Sequence, residues 1–329
     1  MPKKRPELAK SPIIKALPLA CQNETAAVEF LEQLRWGDTP CCVHCGSVNV
    51  YKMTDAETGE RNKRFLWRCR DCKKQQTVRI GTVYEESRLP LRHWCYAFWA
   101  ACSSKKGVSA MQIMRHCQIS YKAALFMMHR VRFAMSPDAA TAPKLSGTVE
   151  CDEMYVGGKP RYPNNTPRGE HSKVSGVKRG RGCGKPVVFA MVERGGQVRA
   201  QIVAKVDGAT LGEAMRENIA PESRIMTDAL PPYKKAAKPF AGGHEAVNHK
   251  KGEYVRGEAH NNSAEGFFSL LKRGIIGTFH AVSRKHLHRY VDEFAFRYNT
   301  RKNTDGDRVV MAVRAAEGKR LMYRTPAQP

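Results

Sequence analysis

The sequence predicts a multidomain chain: an N-terminal metal ribbon, a helical region of helix-turn-helix type, and an α/β domain on a mixed five-stranded sheet with helices. Three observations predict it. Two C-x-x-C pairs lie near the N-terminus, and two short helical patterns follow with a tight break between them. Beyond a Pro- and Ala-containing stretch the pattern turns from helical to strand-rich.

Length and charge bound the function classes. The 329 residues suffice for two or three domains, and 42% apolar content supports real cores. No apolar run approaches the length of a membrane span. The basic opening MPKKRPELAKSPIIK is followed by no apolar stretch or small-residue cleavage site of the secretory kind, so a cytoplasmic protein is expected. The net charge of +25, from 56 Lys and Arg against 31 Asp and Glu, exceeds what solubility requires and points to a polyanionic partner. A generally basic surface is the competing explanation.

Residues 1–23 read as a basic tail, and 24–80 as a short helix plus ribbon. ETAAVEFLEQLR, 24–35, is amphipathic and leads into the cysteines. Cys42-Val-His-Cys45 and Cys69-Arg-Asp-Cys72 each place two thiolates on one tight turn, and the 23 residues between them hold a strand-like hairpin, VNVYKM and KRFLWR around DAETGERN. Two such turns complete a tetrahedral site for one structural Zn²⁺. Cys41 lacks the two-residue spacing to Cys45. Cys21, Cys95, Cys102, Cys117, Cys151 and Cys183 have no paired spacing and are expected as small apolar fillers.

Residues 81–135 form the helical region. LRHWCYAFWAACSSKKG reads as a buried helix ended by Gly107, Ser109 opens a second, and after a break at Gln118 to Ser120 a longer one runs from Tyr121 to about Met135. On the last of these, Lys122, His129, Arg130 and Arg132 are candidate DNA contacts. A plain helical hairpin is the alternative.

SPDAATAPKLSG, 136–147, is the predicted linker. Over 148–300, GTVECDEMYVGG, PVVFAMVE and VRAQIVAKV read as three antiparallel strands. A helix, the strand SRIMTD, a helix near Tyr233, a strand around His244 to His249 and further helices follow. That is the order of a ribonuclease-H-like domain. Between its first two strands the insertion 159–185 carries eight Lys or Arg against the single Glu170, and reads as a basic arm in which Lys178, Arg179 and Arg181 contact DNA phosphate. Residues 301–329 read as a C-terminal tail.

The strand order would bring Asp152, mid-strand among apolar neighbours, beside Asp228 at a strand end. Two like charges in one place are costly unless a cation neutralises them, and hard oxygen donors suit Mg²⁺, two ions about 4 Å apart in such sites. Glu153 should point to the opposite face as a salt-bridge or supporting group. The third oxygen is expected from EAHNNSAEGFFSLLKRG, 258–274. At about 100° per residue, Asn262, Glu265, Ser269 and Lys272 share roughly a quarter of the helix circumference, opposite Phe267, Phe268, Leu270 and Leu271. Lys272, two turns beyond Glu265, would hold a phosphate. For this helix alone a solvated face is the simpler explanation; the upstream acids shift the balance. In SRKHLHRYVDEFAFRYN, Leu287, Tyr290, Val291, Phe294 and Tyr298 follow core spacing, and His280, His286 and His288 read as surface groups.

Taken together, RWGDTPCCVHCGS, CRDCKKQQTVRIGTVYEESRLPLRHW, VECDEMYVGGK, TDALPPY and HNNSAEGFFSLLKRGIIGTFHAVSRKHLHRYVDEFAFRYN resemble the bacterial insertion-sequence transposases that join a zinc ribbon to a DDE-type catalytic domain. The resemblance spans roughly 24–325. It implies a ribonuclease-H-like core, binding to terminal inverted repeats, and Mg²⁺- or Mn²⁺-dependent DNA strand cleavage and transfer. It also implies a homo-oligomer in the synaptic complex. The three acids fall on Asp152, Asp228 and Glu265, and the trailing basic residue on Lys272. Relatives with Asn as third ligand would have it at Asn262, so both positions stay open. Glu265 is preferred because a carboxylate neutralises more metal charge than an amide. Val43 and Gln76 depart from the family pattern, which commonly has Pro and an aromatic residue there.

The function expected is a DNA transposase, cytoplasmic and nucleoid-associated, acting on element ends and target DNA. A ribonuclease-H-like nuclease or resolvase without strand transfer, and a non-catalytic regulator derived from a transposase, are the alternatives; the intact acids argue against the regulator.

Overall fold

The computed structural model describes residues 12–137, 142–157, 185–248, 252–253 and 255–322. The described residues fall into two compact units, one up to Ser136 together with those from Thr300 onward, the other between. Lys178, Arg179, Arg181 and nearly all of the basic insertion lie outside the described residues.

The first unit opens with α1 (Pro12–Ala20) and α2 (Glu24–Trp36), where a plain basic tail was expected before residue 24. Leu17 and Ala20 are buried, so the end of that segment belongs to a core. Asn23 caps α2 by accepting from the Ala26 N–H at 3.0 Å. The ribbon follows as β1 (Val50–Lys52), β2 (Trp67–Cys69) and β3 (Gln75–Gln76), antiparallel in that order, with Val50 opposite Cys69 and Lys52 opposite Trp67. Trp67 fastens it to α2: its Nε1 donates to Glu32 Oε1 at 2.7 Å, and its ring meets that of Trp36 edge-on at 5.6 Å.

Next come α3 (Leu91–Ser103), α4 (Ala110–Cys117) and α5 (Tyr121–Met135). Ser109 and Ser120 cap the last two, accepting from Gln112 N and Ala123 N at 3.2 Å, and Gln118 takes a left-handed conformation between them. The bounds of α4 and α5 and the break between them are those expected from the sequence, whereas α3 stops at Ser103, short of the expected end at Gly107.

The second unit holds the mixed sheet. Its strands are β4 (Thr148–Tyr155), β5 (Val187–Glu193), β6 (Val198–Val203), β7 (Arg224–Asp228) and β8 (His244–Val247), in the order β6-β5-β4-β7-β8. The first three are antiparallel, and β7 and β8 run parallel to β4. This is the ribonuclease-H-like arrangement. Val149, Cys151, Phe189 and Met191 pack on one face with α6 (Gly208–Asn218) and α7 (Pro231–Ala236). On the other face Met154, Val188, Ala190 and Val192 pack with α8 (Asn262–Gly274) and α9 (Leu287–Asn299). The alternation along β4 therefore sends odd and even residues into two different cores.

A π-helical turn, Ile275–Phe279, extends α8. Gly274 sits where a Cβ would meet the Phe294 ring at 2.0 Å, so only glycine lets α8 and α9 approach this closely. The edge strand β6 is tied off by Asn299, whose Oδ1 accepts from Val198 N at 2.7 Å while its Nδ2 donates to Val198 O at 3.1 Å. The residues expected as a C-terminal tail form α10 (Asp305–Arg314) in the first unit, with Val309, Ala312 and Val313 buried. Its 10 residues are too short and too charged to stand out by periodicity alone. No helix among the described residues is long and apolar enough to cross a membrane.

Candidate functional site

The parallel register of β4 and β7 pairs Glu150 with Met226 and Cys151 with Thr227. One step further along both strands come Asp152 and Asp228. Neighbouring strands lie about 4.8 Å apart and residues in register share a face. Opposite Asp152 on β5 is the small, buried Ala190.

Both carboxylates are held by backbone groups: Asp152 Oδ1 accepts from Glu153 N at 2.9 Å, and Asp228 Oδ1 from Leu230 N at 3.2 Å. Burial and, after it, the charge of Glu153 push the Asp152 carboxyl up to about 8, against the Glu153 N–H; the charges of Asp228 and Glu265 raise it further. The charges of one acid on β7 and one on α8 are thus felt at Asp152 on β4. Glu265 and Asn262 are both exposed on α8, as is Lys272. Asn261 is buried, and its Oδ1 has no hydrogen-bond partner among the described residues.

The donor set fits a hard divalent cation: carboxylate oxygens whose mutual repulsion a positive charge would relieve. Beyond Asp152 a cavity of about 440 Å³ is lined by Met154, Val156, Lys272, Ile275, His280 and Val282. Lys272 is therefore on the wall of an open space beside the end of β4.

Glu153 points to the opposite face, as strand alternation requires. Its Oε2 accepts from the Tyr233 hydroxyl at 2.5 Å. The TDALPPY motif accordingly supplies Asp228 at the end of β7 and, one helical turn on, the buried tyrosine that holds Glu153. Glu150 was not singled out from the sequence, and it is the most engaged acid of the region. It is fully buried and accepts from Arg194 Nε at 2.7 Å and Ser263 N at 2.7 Å. The signal available was weak, one acid among three in ECDE.

In the ribbon, Cys42 and Cys72 sulfurs lie 3.6 Å apart and those of Cys45 and Cys69 3.7 Å, and all four converge within 4.8 Å. Tetrahedral Zn–S bonds of about 2.3 Å give sulfur–sulfur edges of about 3.8 Å. Among the described residues no other group of three or more His, Cys, Asp or Glu side chains converges as tightly; the carboxylates of the sheet are spaced more widely. Backbone N–H groups, that of Cys72 foremost, lower the Cys69 thiol to about 7. Cys45, although favoured by the Ser47 N–H, is pushed up to about 12 by burial and the other three sulfurs. Gln76, where an aromatic residue is common, is buried beneath this turn: its Oε1 accepts from Val43 N at 2.6 Å and its Nε2 donates to Cys41 O at 2.8 Å. The departure is thus compensated by two hydrogen bonds flanking Cys42.

Residues 144–299 match the family described as ISXO2-like transposase domain, and residues 22–75 the transposase zinc-ribbon domain. An uncharacterized protein in transposable element ISH50 of Halobacterium salinarum is 30% identical over 286 residues, covering 84% of this chain and 90% of the relative. The chain belongs to the ISXO2-like transposase family.

Two solved structures, of the Mos1 strand transfer complex and of a pre-cleavage Mos1 transpososome, are each 12% identical, with TM-scores of 0.28 and 0.25. They cover 68% and 95% of this chain and 78% and 99% of theirs. Superposition this loose carries no argument about chemistry. The zinc ribbon of the transposase explains its paired cysteines, and the four sulfurs suit one structural Zn²⁺.

Three of the four expected DNA contacts on α5 are buried instead. Arg130 is buried, with Nε donating to Leu321 O at 3.0 Å and an Nη to Glu85 O at 2.8 Å, and its guanidinium stacks on Phe126 at 4.6 Å. Arg132 is 1% exposed, and His129 is buried as well. These basic groups serve the transposase's own first unit, not its surface. Lys122, at the start of α5, is exposed. His280 and His288 are exposed and His286 partly so, on the surface as expected.

Proposed function

We propose that this protein is the transposase of an insertion sequence, cutting the DNA at its element's terminal inverted repeats and joining the freed ends to target DNA. The observation that carries the proposal is the alignment of Asp152 on β4 with Asp228 at the end of the adjacent parallel strand β7, with the Glu265 charge felt at Asp152. Asp152, Asp228 and Glu265 hold Mg²⁺ or Mn²⁺, two ions per site, with Asn262 the alternative third donor. When bound, the cations activate an oxygen nucleophile and stabilise the departing oxygen of a phosphodiester.

The chain's own groups do the rest. The pair Glu153 and Tyr233 steadies the strand behind Asp152, and Lys272 on the cavity wall holds a phosphate oxygen. Water first attacks the scissile phosphorus; the bond to the 3′ oxygen breaks, and that oxygen leaves as a hydroxyl. The freed 3′-hydroxyl then attacks a target phosphodiester, forming one P–O bond as another breaks. No protein–DNA covalent bond is needed.

Positioning of the ends falls to the zinc ribbon (residues 24–80) and the helical region (81–135), through exposed groups such as Lys122, and to the insertion's Lys178, Arg179 and Arg181. Two ends cut together require more than one copy, so a homo-oligomer assembles on DNA at the nucleoid, in the cytoplasm.

The test is purified protein with labelled element ends and Mg²⁺. Wild type should nick the ends, and Asp228→Ala should bind them as tightly and leave them uncut. A variant that still cleaves removes Asp228 from the mechanism.

A further inference from the structure

The helix that carries Glu265 begins without a cap of its own. Asn261 precedes α8 but makes no capping bond; its Nδ2 donates instead to the Cys151 carbonyl of β4 at 3.2 Å. The first N–H groups of any helix have no partner within it. Here they are satisfied by Glu150 of the strand: Oε2 accepts from Ser263 N at 2.7 Å and from Ala264 N at 3.2 Å.

The other carboxylate oxygen is engaged as fully. Oε1 accepts from Arg194 Nε at 2.7 Å and from Ser263 Oγ at 3.2 Å, and His260 Nδ1 lies 3.2 Å away. Arg194 also donates an Nη to His260 O at 2.9 Å, closing the loop between the β5–β6 turn and the segment that enters α8. On the α8 side the partners all lie within 260–264, immediately before Glu265.

A local Ser or Asp cap would satisfy those N–H groups more simply, without burying a charge. What a buried carboxylate on β4 adds is a fixed relation between two elements. Glu150 and Asp152 are two residues apart on one face of one strand, and Ala264 and Glu265 are consecutive in the helix. Charge-assisted bonds from Glu150 to the N–H groups of Ser263 and Ala264 thereby set the distance and rotation of Glu265 relative to Asp152.

We infer that Glu150 is a positioning residue: with Asn261 it clasps the start of α8 to β4 so that the Glu265 carboxylate meets those of Asp152 and Asp228. The inference rests on reading those three acids as a cation site. Groups that orient metal ligands change metal affinity by about 10- to 100-fold when removed. The clasp acts through Glu265, and Glu150 itself touches neither cation nor DNA.

The experiment uses full-length Glu150→Gln without DNA. Mn²⁺ binding is read from the free-ion electron paramagnetic resonance signal, and amide hydrogen exchange is followed over 263–266. Expected are Mn²⁺ binding weakened about tenfold or more, faster exchange in that segment, and cleavage that excess Mn²⁺ restores. Wild-type Mn²⁺ affinity in a folded Glu150→Gln protein overturns the inference, even if thermal stability falls. Should that variant lose cooperative melting, the double variant Asn261→Ala, Ser263→Ala removes two clasp bonds while keeping the Glu150–Arg194 pair, and the same two outcomes decide. Asp152→Asn is the control for the reading beneath: if it binds Mn²⁺ as wild type does, the cation site is wrong and the clasp loses its purpose. If Asp152→Asn loses Mn²⁺ while Glu150→Gln keeps it, only the clasp fails.

Discussion

Asp152 combines a backbone N–H that favours its charge with burial and three acids that oppose it, and the opposition wins, at about 8. The consequence for stability has a definite sign. Below about pH 4 the folded and unfolded carboxyls are both protonated and nothing is lost. Between about pH 4 and 8 the unfolded chain ionises while the folded site stays protonated, so stability without a catalytic cation falls as pH rises, and the loss is complete above 8. Each pKa unit is worth about 1.4 kcal/mol. Asp152→Asn should therefore gain roughly 2 to 4 kcal/mol over wild type at pH 8 and almost nothing at pH 4. Denaturation midpoints across that range check it, and parallel curves for the two proteins would refute it. At Glu265 the distinction is chemical. Glu265→Gln should lower metal-dependent cleavage by two orders of magnitude or more, and Asn262→Ala by less than about tenfold, because an exposed amide at the helix start carries no charge to hold a cation. Cleavage lost only on changing Asn262 would move the third ligand there.

At the scale of elements, the pattern of the chain made some parts plain and concealed others. The zinc tetrad, both serine caps and the break at Gln118 to Ser120 follow from local chemistry, and local chemistry is visible in sequence. The roles of Arg130 and Arg132 do not: whether a helical arginine faces solvent or a carbonyl depends on which elements pack around it. Leu17, Ala20 and the face of α10 are buried for the same nonlocal reason. Glu150 is invisible until the start of α8 is seen against β4. Gln76 shows the converse, a departure from the family pattern that its two hydrogen bonds make sound. The ribbon assignment has its own test. Cys69→Ser should release about one equivalent of zinc and melt β1 to β3 while leaving the sheet of the second unit folded. Wild-type protein without bound zinc by metal analysis would end that assignment.

For the whole molecule, the family follows from the ribbon and the α/β domain occurring in one chain with a relative matched over most of both lengths. A net charge of +25 suits an enzyme that handles DNA. In the proposed function one carboxylate site performs both hydrolysis and joining, and a nuclease would share the first step without the second. Purified protein, labelled element ends and supercoiled plasmid with Mg²⁺ should yield ends covalently joined to plasmid through their 3′-hydroxyls, with none formed when Mg²⁺ is omitted. Ends cut at the repeat but never joined would contradict the claim and leave a nuclease.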